Sequence, residues 1–137
     1  MTGTGRRVRR PTGESGAAVV DFLLVSILVL ALFLLVFQVG AVLHARTVLV
    51  AAAQDGARYA ANADRSPKDG AARTVEAIGQ GLSTGVAGRM SVTAGEQVTP
   101  EGLRLVEMTV SGPLPVVFLP AGPLRLTVRG HALEESR

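Results

Sequence analysis

One serine and two histidines stand in surroundings that could carry chemistry. Ser83 lies in the sequence G-x-S-x-G, residues 81–85, which serine hydrolases place between a strand and a helix. Here a helical pattern precedes Ser83 and the glycines are typical of a helix end, so the sequence favours a structural role. His44 and His131 each stand without the His, Asp or Glu spacing of a metal site. We therefore expect no metal, no cofactor, no small-molecule substrate and no enzyme activity.

An aspartate at the start of an apolar run is the other chemically notable residue. An ionised carboxylate costs up to about 2.5–3.5 kcal/mol at the centre of a membrane-spanning helix, and less near its edge. Asp21 could be a first-turn acid that complements the helix macrodipole, worth about 0.3–1 kcal/mol. If the chain instead began at Ala17, its ammonium would lie about 6 Å before Asp21 along a helix. The two charges could then pair within one chain or between neighbouring chains.

The run that follows, Phe22–Val42, contains no charged residue, and Ser26 and Gln38 are its only clearly polar side chains. About 20 helical residues span a hydrocarbon core of roughly 30 Å. A helix satisfies every backbone hydrogen bond there, and a core helix of this kind would need a larger protein around it. We therefore predict a transmembrane helix at residues 17–43 and a helical extension at residues 44–63.

The charge distribution predicts the orientation of that helix. The chain has 137 residues, 14 Lys and Arg, 11 Asp and Glu, and a net charge of +3. Four arginines and Glu14 give residues 1–16 a charge of 4 − 1 = +3, so the remainder is neutral. Positive flanks stay cytoplasmic, which predicts a cytoplasmic N-terminus and an extracytoplasmic body. The body has no basic cluster for nucleic acid, and the absence of Cys excludes disulfides and zinc fingers.

Three kinds of N-terminal signal fit parts of this pattern. A secretory signal peptide has an apolar region of about 7–15 residues, shorter than the run here, although Val39-Gly40-Ala41 is a passable cleavage site. A twin-arginine signal needs more than the sequence G-R-R-V-R-R at residues 5–10 supplies. A prepilin-type leader combines a short basic stretch, a Gly, and an acid a few residues into the apolar helix.

Residues 14–22, E-S-G-A-A-V-V-D-F, carry that third pattern. They resemble the processing site of TadE-like pseudopilins, in the tight-adherence (Flp-type) branch of type IV pili. The resemblance implies that a prepilin peptidase cuts between Gly16 and Ala17, which makes residues 1–16 a leader peptide. It also implies that Asp21 is the acid at the fifth mature position, where the family usually has Glu, and that Phe22 is the aromatic that follows.

The resemblance continues beyond the membrane, in the Ala-rich segment that contains Asp55, Gly56, Ala57 and Arg58, and more loosely in Pro113 to Arg137. It implies that the chain is a minor pilin or pseudopilin. Its implied partners are the membrane, a prepilin peptidase, an assembly platform with its motor ATPase, and other pilins. Two alternatives remain open. One is an unprocessed, membrane-anchored accessory or binding protein. The other is a secreted domain that signal peptidase releases near Arg46.

The helical extension has small residues three or four apart, which predicts either a close packing face or merely an Ala-rich helix. The residues with this spacing of three or four are Leu43, Arg46, Val50, Ala53, Ala57, Ala60 and Ala61.

The remaining residues, 64–137, predict a small α+β domain of one helix and a roughly three-stranded antiparallel sheet. Ser66, Pro67 and Asp69 have the spacing of a helix start, and we expect an apolar stripe at Val75, Ile78 and Leu82. Three segments then alternate apolar and polar residues, as half-buried strands do, at Met90/Val92/Ala94, Val106/Met108/Val110 and Leu124/Leu126/Val128.

The segment between the last two predicted strands is rich in proline, which excludes a further central strand there. Its apolar residues, Val116 to Leu119, either fold back over the sheet of their own chain or dock on a neighbour.

The predicted cleavage site leads to a direct test. We expect Gly16→Ala to leave a full-length chain that keeps its leader in a cell with the matching peptidase, because the resemblance makes that Gly the residue before the cut. Mass spectrometry of the purified chain distinguishes the two forms. An unchanged mature mass in the variant would refute the site.

Overall fold

The computed structural model describes residues 14–62, 64–114 and 124–134. It confirms the predicted α+β class: a long N-terminal helix, further helices and an antiparallel sheet of three strands. The chain forms two compact units, one up to Val36 and the other from Phe37 onward, which are described separately below. The elements are α1 (Glu14–Ala61), α2 (Pro67–Gly81), α3 (Thr84–Ala87), β1 (Ser91–Val98), β2 (Arg104–Leu114) and β3 (Leu124–Leu133).

The first unit exposes its apolar side chains. Between Gly16 and Val36 all side chains are exposed except those of Ser26 and Leu34, which are half-buried. α1 is long and apolar enough to cross a membrane. Exposure of a continuous apolar surface to water is unfavourable, so a surface of this kind is stable where lipid or another apolar helix covers it.

The second unit contains the rest of α1, which buries a face of small residues. Most residues of this face are alanines, of which Ala53 and Ala57 are fully buried, and Leu49 is its largest side chain. Of the residues that carry the predicted helical spacing, Ala53, Ala57, Ala60 and Ala61 are buried and Val50 is half-buried, whereas Leu43 and Arg46 are exposed. The face that packs agrees with the predicted spacing from Ala53 onward and differs from it before Ala53, where Ala45 and Leu49 are buried. Its members are Ala45, Leu49, Ala52, Ala53, Ala57, Ala60 and Ala61.

α2 begins as its sequence predicts. The Ser66 hydroxyl accepts a hydrogen bond from the backbone N–H of Asp69 (3.3 Å), and the Asp69 carboxylate accepts one from the backbone N–H of Ser66 (2.9 Å). This reciprocal capping box satisfies two backbone donors, and Pro67 occupies the first turn, where its missing N–H costs nothing.

The expected apolar stripe of α2 is buried at Ile78 and half-buried at Leu82, but its third member, Val75, is exposed. Val75 is 39% exposed, whereas Gly70, Thr74 and Ile78 are buried. The Thr74 hydroxyl can be buried because it donates to the carbonyl of Gly70 (2.9 Å). Small size decides which α2 residues face α1, and apolar character is secondary.

A short helix, α3, follows α2 and is an addition to the predicted elements. Ser83 is its N-cap, and the Ser83 hydroxyl accepts a hydrogen bond from the backbone N–H of Val86 (3.2 Å). The G-x-S-x-G sequence is therefore a junction between two helices. It lacks the strand before the serine that a hydrolase nucleophile requires.

The sheet has the order β1-β2-β3, with both neighbouring pairs antiparallel. Its registers run from Ser91↔Ser111 to Val98↔Arg104 and from Leu105↔Leu133 to Leu114↔Leu124. The predicted alternation is clearest in β2, where Val106, Met108, Val110, Gly112 and Leu114 are buried on one face.

The outer strands follow the alternation less closely. In β1 the expected inward residue Ala94 is exposed, and in β3 Leu124 is 49% exposed while Val128 is buried. These are the edges of a narrow sheet, where the helices cover only part of the inner face.

Some of the sequence-based expectations fall outside the described residues. They concern residues 1–13 of the leader, residue 63 in the break after α1, the apolar segment Val116 to Leu119 with its flanking prolines, and the charged tail from residue 135 onward.

The capping box generates a pH-dependent prediction. The hydrogen bond from the Ser66 hydroxyl, and then that from its backbone N–H, lowers the pKa of Asp69 below its usual 3.8. The carboxylate therefore stabilises the fold fully above pH 3.8, and that contribution is lost as the pH falls through the lowered pKa. We expect Asp69→Asn to reduce the denaturation midpoint of the detergent-solubilised chain at pH 7, and the difference from wild type to shrink in acid.

Glu101→Gln is the matched control, because Glu101 is an exposed acid in the turn after β1. A deficit in Asp69→Asn that stays constant from neutral to strongly acidic pH would contradict the capping role of the charge.

Candidate processing site and helix-packing interface

The predicted cleavage junction lies in the first turns of α1. Gly16 and Ala17 both have helical backbone and exposed side chains. A Cβ added at Gly16 would meet no atom within 4 Å. The close packing that explains other glycines of this chain is therefore not what requires a glycine at position 16.

Asp21 and Phe22 are exposed on the same helix, and Phe22 is 71% exposed. Asp21 follows Ala17 by four residues, so the two lie on one side of the helix, a turn apart. Within the described residues, no ion pair includes Asp21. The arrangement leaves the carboxylate accessible to the ammonium of a chain that begins at Ala17, whether in the same chain or in a neighbour.

The second family-like segment, residues 55–58, lies where α1 crosses α2. A Cβ added at Gly56 would overlap the Thr74 hydroxyl and lie 2.6 Å from the carbonyl oxygen of Gly70. A Cβ added at Gly70 would lie 2.5 Å from the carbonyl oxygen of Gly56. The two glycines therefore face each other, and their missing side chains let the two backbones touch.

The neighbours of Gly56 divide between this interface and the surface. Ala57 is fully buried, whereas Asp55 and Arg58 are exposed. Of the two interpretations of this Ala-rich stretch, the structure supports the packing face, formed within one chain.

An ion pair flanks the glycine contact. The Arg73 guanidinium of α2 donates to the Asp55 carboxylate of α1 (Nε to Oδ2, 3.0 Å) and to that of Glu76 (3.2 Å). These hydrogen bonds, that to Asp55 first, raise the pKa of Arg73 above its usual value. Because all three side chains are largely in solvent, the pair adds little stability and serves mainly to orient α2 on α1.

A third glycine brings the sheet onto the same helix. A Cβ added at Gly130 of β3 would lie 2.5 Å from the backbone of Ala53 and Gln54. Sequence reasoning missed Gly70 and Gly130. The available signal was a glycine inside an otherwise regular helix or strand pattern, which often marks close backbone approach.

The histidines have surface positions. His44 is exposed on α1, and His131 lies opposite Glu107 in the sheet, with 3.6 Å between Nδ1 and the carboxylate. In the part of the chain that the structure describes, no group of three His, Asp or Glu residues is placed to hold a metal ion.

Comparison with known proteins gives one match. Residues 16–58 match the TadE-like protein family, which confirms the resemblance over this part of α1. The match begins at Gly16 and ends at Arg58, so it includes Gly16 to Phe22 of the first motif and Asp55 to Arg58 of the second, and it does not reach the looser resemblance at residues 113–137. Neither the curated proteins nor the solved structures that were compared contain a match to the chain.

The helix crossing predicts different outcomes for the same substitution at two glycines of α1, Gly56 and Gly40. Gly56→Ala would gain helix propensity, yet its methyl group has no room, so we expect a net loss of about 1–3 kcal/mol in the free energy of unfolding. Gly40→Ala, also in α1, would meet no atom within 4 Å and should be neutral or slightly stabilising. Chemical denaturation of both full-length variants in detergent tests this, and equal midpoints would disprove the close crossing.

Proposed function

We propose that this chain is a minor pilin or pseudopilin of a Tad (Flp-type) pilus, processed by a prepilin peptidase between Gly16 and Ala17. One observation carries the proposal: the TadE-like match starts at Gly16 and continues along a helix whose apolar side chains are exposed. An exposed apolar helix suits both of the surroundings that a pilin occupies in turn, the lipid bilayer and the packed helices of a fibre.

The charges at the head of the helix support a role for processing. The leader holds four arginines and one acid, so it carries a net charge of +3 that favours a cytoplasmic N-terminus. After cleavage, the Ala17 ammonium and the Asp21 carboxylate would sum to zero over the whole stretch to Leu43. Removal of the leader thus takes away the charge that resists movement of the helix out of the membrane.

The remaining neutral pair then has a defined use. An ammonium and a carboxylate in an apolar setting attract strongly, because little water screens them. A pair between neighbouring chains would set the relative height of their helices during assembly. The shorter Asp21, in place of the usual Glu, requires a closer approach of the two groups.

The proposed role is structural and not enzymatic. Its partners are the membrane, a prepilin peptidase, an assembly platform and other pilins, with a cytoplasmic motor ATPase that acts through the platform. In this proposal a single membrane-spanning helix covers residues 17–43, and the helical extension and the domain at residues 64–137 lie outside the cytoplasm.

The acid at the head of the helix provides the experimental test. We expect Asp21→Asn to be cut normally but to lose most of its incorporation into sheared surface fibres, because the charge pair is gone. Asp21→Glu should retain incorporation, since it keeps the carboxylate. Immunoblots of sheared and cell fractions measure incorporation, and mass spectrometry measures the cut.

Ser26→Ala serves as a control on the same helix. The proposal fails if native protein keeps its arginines, in which case the chain is an unprocessed, membrane-anchored accessory protein. Equal incorporation of Asp21→Asn and wild type would remove the charge pair from the mechanism.

A further inference from the structure

The unit that begins at Phe37 contains an apolar cavity of about 250 Å³. Both α1 and the body contribute to its walls. Two wall residues, Leu82 and Val86, are half-buried, so the cavity is reached from outside. The residues that matter for its chemistry are Val42 and Ala45 of α1, Leu82 after α2, Val86 of α3, Leu114 at the end of β2, and Gln38.

The position of this cavity along the sequence indicates what surrounds it. About 20 helical residues span a hydrocarbon core, and a count of about 20 from Asp21 ends at Ala41. Ala41 is itself a wall residue, between Gln38 and Ala45. The α1 wall thus coincides with the last turns of the charge-free run, which ends before Arg46. The cavity belongs at the outer membrane–water boundary, and not in bulk water.

The chemistry of the walls fits the upper part of a lipid. Apart from Gln38 and His44 the lining consists of aliphatic side chains, which suit an acyl chain. Gln38 is only 5% exposed, and it is one of the two polar residues that line the cavity. An amide N–H at this depth can donate to the ester oxygen that joins an acyl chain to its headgroup.

We propose that this cavity holds the part of a phospholipid acyl chain that lies next to the headgroup. Leu82, Val86 and Leu114 of the body then contact lipid directly. The body would then rest in the membrane boundary through α3 and the end of β2. This inference rests on the membrane insertion in the proposed function, and it holds whether or not the chain enters a pilus.

Because the sequence contains no Trp, single-Trp variants of the full chain can locate lipid by fluorescence quenching. Val86→Trp and Leu82→Trp probe two walls, and the second protects the test if the first fails to fold. Leu30→Trp probes the centre of the apolar run. Val98→Trp reports on the opposite end of the sheet from Leu114, about 30 Å away, where the native Val98 is 70% exposed.

Each variant is reconstituted in phosphatidylcholine vesicles whose acyl chains carry bromine either near the ester or near the chain end. We expect Val86→Trp and Leu82→Trp to lose fluorescence mainly with bromine near the ester. Leu30→Trp should lose it mainly with bromine near the chain end, and Val98→Trp should lose none.

The other outcomes each overturn the inference in a different way. Quenching of Leu30→Trp alone would mean that lipid does not enter the cavity. Quenching of Val98→Trp as well would mean that the body lies non-specifically on the bilayer. No quenching of Leu30→Trp would refute membrane insertion, and with it both this inference and the proposed function.

Discussion

The unit from Phe37 onward depends on the contact between Gly56 of α1 and Gly70 of α2. Each glycine occupies space that a Cβ on the other would need, so the helix backbones meet with no side chain between them. This closeness buries the alanines of α1 and requires the polar but compact Thr74 at the crossing. Gly130 extends the same principle to the sheet by contacting the α1 backbone at Ala53. A small body without disulfides gains a dense core in this way, although few of its buried side chains are large.

α1 therefore carries two surfaces with different physical roles. Up to Leu43 its side chains are mainly large, aliphatic and exposed, which suits lipid or other apolar helices. From Ala45 onward its buried face consists mostly of alanine, which suits close contact with folded protein. The TadE-like match spans both surfaces and stops at Arg58, just after the glycine crossing. The matched segment thus includes the exposed apolar side chains of α1 and the glycine at its crossing with α2.

Charges decide little of the internal packing of the described body, since the ion pair of Asp55 and Arg73 is exposed. In the proposed function they act at the head of α1, where Asp21 is followed by the charge-free run from Phe22 to Val42. The same separation appears in the proposed lipid contact, whose walls are aliphatic and whose polar groups, Gln38 and His44, come from α1.

The sequence by itself determined the features that depend on local pattern. The charge-free run from Phe22 to Val42, the capping box at Ser66 and the alternation in β2 each require only neighbouring residues to specify them. The glycine and acid near the N-terminus likewise indicated the resemblance that the family match confirms over residues 16–58. Tertiary structure alone decided which residues face inward where elements meet. Thr74 is buried and Val75 is exposed, although the sequence pattern predicts the reverse. Gly70 and Gly130 are contact points, because two backbones that approach closely leave room only for small side chains. That requirement depends on the partner surface, which no local pattern contains.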